Sequence, residues 1–473
     1  GRHPENPDLA LGWIHIDEPV AMSGLIEKLP HYGKYSYLSF IGEEPTNDVK
    51  GIWASADSPM RWIKPELDSP SIAWEGLVPP PAIAELPPKY LPEQLARHTK
   101  VLTDAVMQGR GLGSDGLARA GHYIAEQFRE AGLQPVGGTY IQPWRQDVPD
   151  LGQVTMANVM GMIPGSDAKL SSEPVVLGAH YDHLGINGKT GEFFPGADDN
   201  ASGISVLIEV ARKLARAFAP QRPVLFVAFT GEESGLLGSN YFVNSSPGGF
   251  SLSSAFAMVN LDAVGRLEGR TLQIFGTESA YEWPFMAQGI GFTIGVSSQY
   301  AAQTVASSDH VSFLNAGIPA IHLFSGTHLD YNRPTDTADK LDLAGMGDVA
   351  RWVEEAIVYL ADRRDPLRVS LEQASQLPVS TNTTAREAVL GTVPDFAYQG
   401  GQGIRISGVS PGSAAELAGL QASDVILQFN GQALDSLQTY SNLLRAAAPG
   451  DEIELTVRRG EQTLNFSAIL QAR

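Results

Sequence analysis

Four short apolar runs recur along this chain between stretches of helical periodicity: Val175-Val176-Leu177, Val224–Phe229, Ala257–Leu261 and Ala320–Leu323. Runs this short and this continuous fit strands buried on both faces. The intervening stretches, among them Gly203–Phe218 and Leu343–Leu360, are long enough for helices. Strands alternating with helices predict an α/β fold, a three-layer sandwich around a mostly parallel central sheet. Chemistry in such sheets gathers beyond the carboxyl ends of the strands. Two further helices are expected upstream. One starts at Leu91 with Leu95, His98, Val101, Leu102 and Val106 in helical spacing, and the other runs from Gly116 to a glycine stop at Gly132.

With 473 residues the chain exceeds one ordinary domain, and its texture divides it. Residues 1–88 are rich in proline and tryptophan and include the alternating stretch Tyr35–Phe40; they read as a β-rich N-terminal accessory segment. Residues 89–366 hold the α/β domain. Residues 367–388 are a polar linker, and residues 389–473 read as short strands, two short helices and glycine turns.

Composition excludes some functions. A formal charge of −20, from 53 acidic against 33 basic residues, repels nucleic-acid phosphates and anionic lipid. There is no cysteine, so disulfides and thiolate ligands are excluded, and a metal site must draw on His, Asp and Glu. No stretch approaches the ~20 apolar residues of a membrane helix. The lack of cysteine and a first residue other than Met lead us to expect an exported protein with its signal removed.

The polar residues that follow the apolar runs carry the chemistry. The first run leads into His180-Tyr181-Asp182-His183, and a glycine-rich loop then gives Gly196-Ala197-Asp198-Asp199-Asn200 ahead of a helix. The second leads into Thr230-Gly231-Glu232-Glu233 and the third into Asp262, with Ser308-Asp309-His310 and His328-Leu329-Asp330-Tyr331 beyond. Carboxylates and imidazoles converging on one sheet edge are costly unless cations sit among them. A pair of divalent ions answers this. Oxygen and imidazole donors favour zinc first, with manganese or cobalt as alternatives.

With Gln108-Gly109-Arg110-Gly111 upstream, these elements make the stretch from about Leu91 to Leu360 resemble the clan MH zinc aminopeptidases of the bacterial leucyl aminopeptidase type. Relatives of that group include glutamate carboxypeptidase II and glutaminyl cyclase. The resemblance implies two zinc sites. His180 and Asp262 would bind one ion, Asp199 would bridge both, and Glu233 would bind the second. Glu232 would be the general base, Tyr331 would hydrogen-bond the tetrahedral intermediate, and Asp182 would fix the His180 tautomer. His310 would line the substrate pocket, and the Asp199–Asn200 peptide would be cis. The pattern departs at one position. The family's last ligand is a histidine directly after the tyrosine, and this chain has Asn332, so the second ion is expected to bind weakly; His328 is a conceivable substitute ligand. The implied activity is removal of N-terminal residues from peptides. A glutaminyl cyclase, a carboxypeptidase or a non-catalytic binding protein on the same fold are the alternatives.

Val409–Leu420, Asp424-Val425-Ile426 and Asn430-Gly431 resemble a PDZ domain of the bacterial enzyme-associated kind. That resemblance implies a carboxylate-binding loop and an edge strand at Gly400–Ile406, with Gly403, Ile404, Arg405 and Ile406 receiving a peptide or a protein C-terminus by β-augmentation. A purely structural appendage is the alternative.

Overall fold

The chain divides into two compact units, Gly1–Glu85 and Leu86–Arg473. A computed structural model describes residues 13–52, 88–149, 151–251, 254–300, 308–370, 388–396, 398 and 401–472. In the first unit a helix, Met22–Lys28, precedes a hairpin of Tyr37–Ile41 and Thr46–Gly51. The strand expected at Tyr35–Phe40 is there, shifted toward Ile41. Pro79–Pro81 and the polar stretch Ser380–Thr384 lie outside the described residues.

The larger sheet of the second unit has nine strands among the described residues. In chain order they are β1 Gln134–Pro135, β2 Ile141–Val148, β3 Gly152–Ile163, β4 Val175–His180, β5 Val224–Phe229, β6 Ala257–Leu261, β7 Leu272–Phe275, β8 Ser298–Tyr300 and β9 Ala320–Phe324. They lie side by side as β8-β7-β9-β6-β4-β5-β3-β1, with β2 paired to β3. The centre, β9-β6-β4-β5, is parallel. Its flanks are antiparallel: β3 against β5 and β7 against β9. The mostly parallel sheet expected from the sequence is thus a mixed sheet with a parallel centre. The turn between β2 and β3 is too short for anything but an antiparallel hairpin.

Central strands are buried on both faces because their side chains alternate between two cores. Val175, Leu177, Val224, Phe226 and Ala228 enter one; Val176, Leu225, Val227 and Phe229 enter the other. Helices α1 Pro92–Leu102, α2 Asp115–Ala131 and α3 Gly203–Ala217 cover the first face, and α4 Leu237–Asn244 and α5 His310–Asn315 cover the second. The long helix α6 Leu343–Asp362 joins the first layer, burying Trp352, Val353 and Ile357. Local signals set the ends of α2: Ser114 Oγ accepts from Leu117 N at 3.1 Å, and Gly132 takes φ 88° beyond the last turn. No helix among the described residues is long and apolar enough to cross a membrane.

A smaller antiparallel sheet follows, β10 Thr392–Pro394, β11 Ile404–Val409, β12 Val425–Phe429, β13 Glu452–Arg459 and β14 Gln462–Ile469, paired in that order. Ile406, Ile426, Leu455 and Val457 form its core with Tyr440 and Leu444 from helix α7, Leu437–Ala446. Here one expectation is corrected. Strand β11 is not an edge: Val393 pairs with Gly408 on one side and Ile404 with Ile426 on the other. Arg405 O accepts from Asp395 N at 2.8 Å, and Ile406 N donates to Asp424 O at 2.9 Å. Gly403 N is also engaged, donating to Leu434 O at 3.1 Å. Ile404, Arg405 and Ile406 therefore offer no open ladder for a peptide. Among the described residues strand β10 forms the edge on that side.

Candidate metal centre

The ends of β4, β5, β6 and β9 deliver the polar residues to one rim of the sheet, as the parallel centre requires. His180 closes β4, Glu232 and Glu233 follow β5, and Asp262 follows β6. Asp199 sits in the turn that opens α3. That turn is pinned from three sides. Asp336 accepts from Asp198 N at 2.9 Å and Asp199 N at 3.2 Å. Asn200 donates to Leu261 O at 2.9 Å and accepts from Gly203 N at 3.0 Å. A Cβ at position 203 would lie 2.2 Å from Asn200 Oδ1, so only glycine lets α3 abut the turn. The Asp199–Asn200 peptide is cis.

Beneath the rim lies Arg110, fully buried. Its guanidinium donates to the carbonyls of Tyr181 (2.8 Å), Leu102 (2.7 Å), Pro195 (2.7 Å) and Gly196 (2.8 Å). One side chain thereby ties the loop after β4 to the loop before Asp199. Burial lowers its pKa to about 10, with neighbouring carboxylates opposing the fall.

Two sets of donors meet at Asp199. His180, Asp199 and Asp262 bring ligand atoms within 4.8 Å of one another, and so do His183, Asp199 and Glu233. In the first set His180 Nε2 stands 3.2 Å from both Asp199 Oδ1 and Asp262 Oδ1. Ligand bonds of ~2.0–2.1 Å put neighbouring donors on a tetrahedral zinc about 3.3 Å apart, so this spacing suits such an ion. His180 Nδ1 donates to the Asp182 carbonyl at 3.2 Å, which turns Nε2 toward the carboxylates. This corrects the role expected of Asp182. Its carboxylate stands 3.8 Å from His180 Nδ1 and instead accepts from Glu232 N at 3.1 Å and Glu233 N at 3.3 Å. Asp182 thus sets the tautomer through its main chain and the position of both glutamates through its side chain.

The electrostatics favour a cation. Burial, then the charge of Glu233, raises Asp199 to about 6. Burial also lifts Glu232 well above the ordinary carboxyl range, with Asp262, Glu233 and Asp309 adding to the rise. Burial would raise Asp262 too, but the facing His180 outweighs it and holds that carboxyl at about 2. Buried acids that crowd each other in this way are relieved by a divalent ion. With imidazole and carboxylate donors and no thiolate, the residues present fit zinc.

Other expected residues fall less simply. Tyr331 keeps its hydroxyl protonated: burial and then the charges of Asp199, Asp262, Glu233 and Glu232 push its pKa up. Asn332 has φ 57°, and its buried Oδ1 has no hydrogen-bond partner among the described residues. His328 is not a substitute ligand, since its Nε2 lies 3.0 Å from Asp198 Oδ2. His310 does not line an open pocket. It is 0% exposed and stacks on His322 with centroids 5.0 Å apart, because α5 packs its first turn into the core. The sequence reading passed over His183, Asp336 and the task of Arg110. For His183 a signal existed: a departure at Asn332 calls for another imidazole, and one stands three residues past His180.

Residues 158–357 match the model of peptidase family M28, and residues 405–459 match that of a PDZ domain. The chain is 26% identical over 302 residues to the uncharacterized protein YfbL of Escherichia coli, covering 58% of this chain and 89% of that protein. It is 32% identical over 221 residues to aminopeptidase YwaD of Bacillus subtilis, covering 45% and 46%. It is 29% identical over 231 residues to a protein named "Probable zinc metalloprotease" in Pyrenophora teres, covering 47% and 46%. The chain spans about half the length of the latter two relatives. The donor residues at the carboxyl ends of the parallel sheet centre thus lie inside the stretch that matches peptidase family M28, and the stretch that matches a PDZ domain follows it.

Proposed function

We propose that the protein is a metallo-aminopeptidase that binds two zinc ions, one in the set His180, Asp199 and Asp262 and the other beside Asp199 and Glu233. The carrying observation is that two donor sets, buried except for the half-buried Glu233, share one carboxylate, Asp199, with Glu232 beside them. Zinc bound there would supply an acidified water and a Lewis acid for the scissile carbonyl. The residues do the rest. Glu232 takes a proton from the attacking water and returns it to the leaving amine. Asp182 holds Glu232 and Glu233 in place through their amides. Tyr331, still protonated, donates to the oxygen on which negative charge develops. The PDZ domain binds peptide, and β10, the edge strand of its sheet among the described residues, is our choice for the docking site.

The test is hydrolysis of a panel of aminoacyl-nitroanilides and free dipeptides by the zinc-loaded protein, alongside peptides with N-terminal glutamine. Release of the N-terminal residue, abolished by chelation and restored by zinc, is the expected result. Cyclisation of the glutaminyl peptides without hydrolysis of the others would transfer the site to the cyclase reading.

A further inference from the structure

We infer that His183 supplies the imidazole of the second zinc position, the place for which the sequence offers only Asn332. The inference rests on the two-zinc reading above and adds the identity of one ligand to it. His183 Nδ1 lies 2.8 Å from Glu233 Oε1 and 3.9 Å from Asp199 Oδ2. Those values bracket the ~3.3 Å between neighbouring donors of a tetrahedral zinc. The same two acids are the ones the second ion needs.

The ring is placed for this by its surroundings rather than by chance contact. Its main-chain N–H donates to Arg110 O at 3.1 Å, so the loop is fixed just where the side chain departs. Its face lies against the backbone at Gly196, where a Cβ would come within 2.5 Å of Cγ and Cδ2. Its side chain is 0% exposed. Nε2, on the far side, has no hydrogen-bond partner among the described residues, so Nδ1 is the nitrogen that the protein addresses. Of the other imidazoles, His180 belongs to the first set, His328 faces Asp198, and His310 and His322 stack on each other on the Asp262 side. An amide at position 332 is then tolerable, because the chain carries a stronger neutral donor on another loop.

The competing account is that His183 merely hydrogen-bonds Glu233, and metal counting separates the two. The full chain is stripped with chelator, reloaded with zinc, passed through a desalting column and assayed for zinc by mass spectrometry. The unaltered protein is expected to keep about two zinc per chain. His183→Gln is expected to keep about one, with the second bound at least roughly tenfold more weakly, while Asn332→Ala keeps both. Should His183→Gln fail to fold, X-ray absorption at the zinc edge of the unaltered protein decides. About one imidazole per zinc on average is expected, against about half if only His180 ligates. Two zinc retained by His183→Gln, or the half value, overturns the inference and leaves the two-zinc reading standing. A single zinc in the unaltered protein overturns both.

Discussion

Glu232 and Glu233 are adjacent in the chain, yet the tasks we propose for them differ, and substitution separates them. Glu232→Gln should retain its zinc and lose about a thousandfold in kcat, since the change removes the proton carrier and spares every ligand; kcat measured against metal content checks this. Asp182→Asn tests the hydrogen bonds from both glutamate amides. An amide cannot accept with both of its side-chain heavy atoms, so one glutamate N–H loses its partner, and kcat should fall roughly ten- to hundredfold with zinc still bound. Gly196→Ala should be more severe. A methyl at that position meets Asp199 O at 2.2 Å and the His183 ring at 2.5 Å, on a backbone with φ 57°. Loss of zinc binding in a folded Gly196→Ala protein is the outcome to look for by calorimetric titration. Little of this was readable from the residues alone. His180, Glu233 and Asp262 could be picked out because each closes or follows a strand, and Asp199 because it precedes a helix; element ends are local signals. That Asp182 turns its carboxylate to amides 50 residues away, and that His183 meets Glu233, are products of the packed loops.

At the scale of elements, the loop after β9 links the two sheets of the second unit. Thr327 Oγ1 donates to Pro394 O at 2.6 Å, at the end of β10, and Arg333 donates to Ser410 Oγ at 2.7 Å. Phe324 meets Phe396 edge-on with centroids 5.8 Å apart. Tyr331 and Asn332 lie between these anchor points. Deleting residues 389–473 should therefore slow hydrolysis of even the smallest substrates by roughly tenfold or more, because Tyr331, our proposed oxyanion donor, loses its support. Steady-state kinetics of a folded truncation on a single aminoacyl-nitroanilide is the measurement; an unchanged kcat would show that the loop holds itself. The central strands and long helices could be drawn from apolar spacing, which reports burial directly. Strand neighbours could not. Nothing local in Ile404–Ile406 tells that β10 covers one side of it, since that pairing depends on a segment earlier in the chain.

For the molecule as a whole, a second buried polar cluster holds the helical layer together. His98 of α1 lies 2.7 Å from the Tyr123 hydroxyl of α2 and 2.8 Å from Glu209 of α3, and Arg212 pairs with the same carboxylate. Burial would raise the Glu209 pKa, but His98 and Arg212 outweigh it and hold the carboxyl below its ordinary value. A depressed acid stabilises the fold above its unfolded pKa, and that share is lost as pH falls through the folded value. Glu209→Ala should thus cost on the order of 3 kcal/mol at neutral pH, and the gap to the unaltered protein should narrow in acid. Urea unfolding at pH 7 and pH 4 measures both. The donors at the rim of the larger sheet have a consequence of another kind. They come from segments that an unfolded chain keeps far apart, so the ions bind the native state alone. At a free zinc concentration a hundredfold above Kd, each site would add about 2.7 kcal/mol to native stability. A cell or medium poor in zinc would thus shorten the lifetime of this enzyme by exposing it to proteolysis, and the amount of intact protein would follow the metal supply around it.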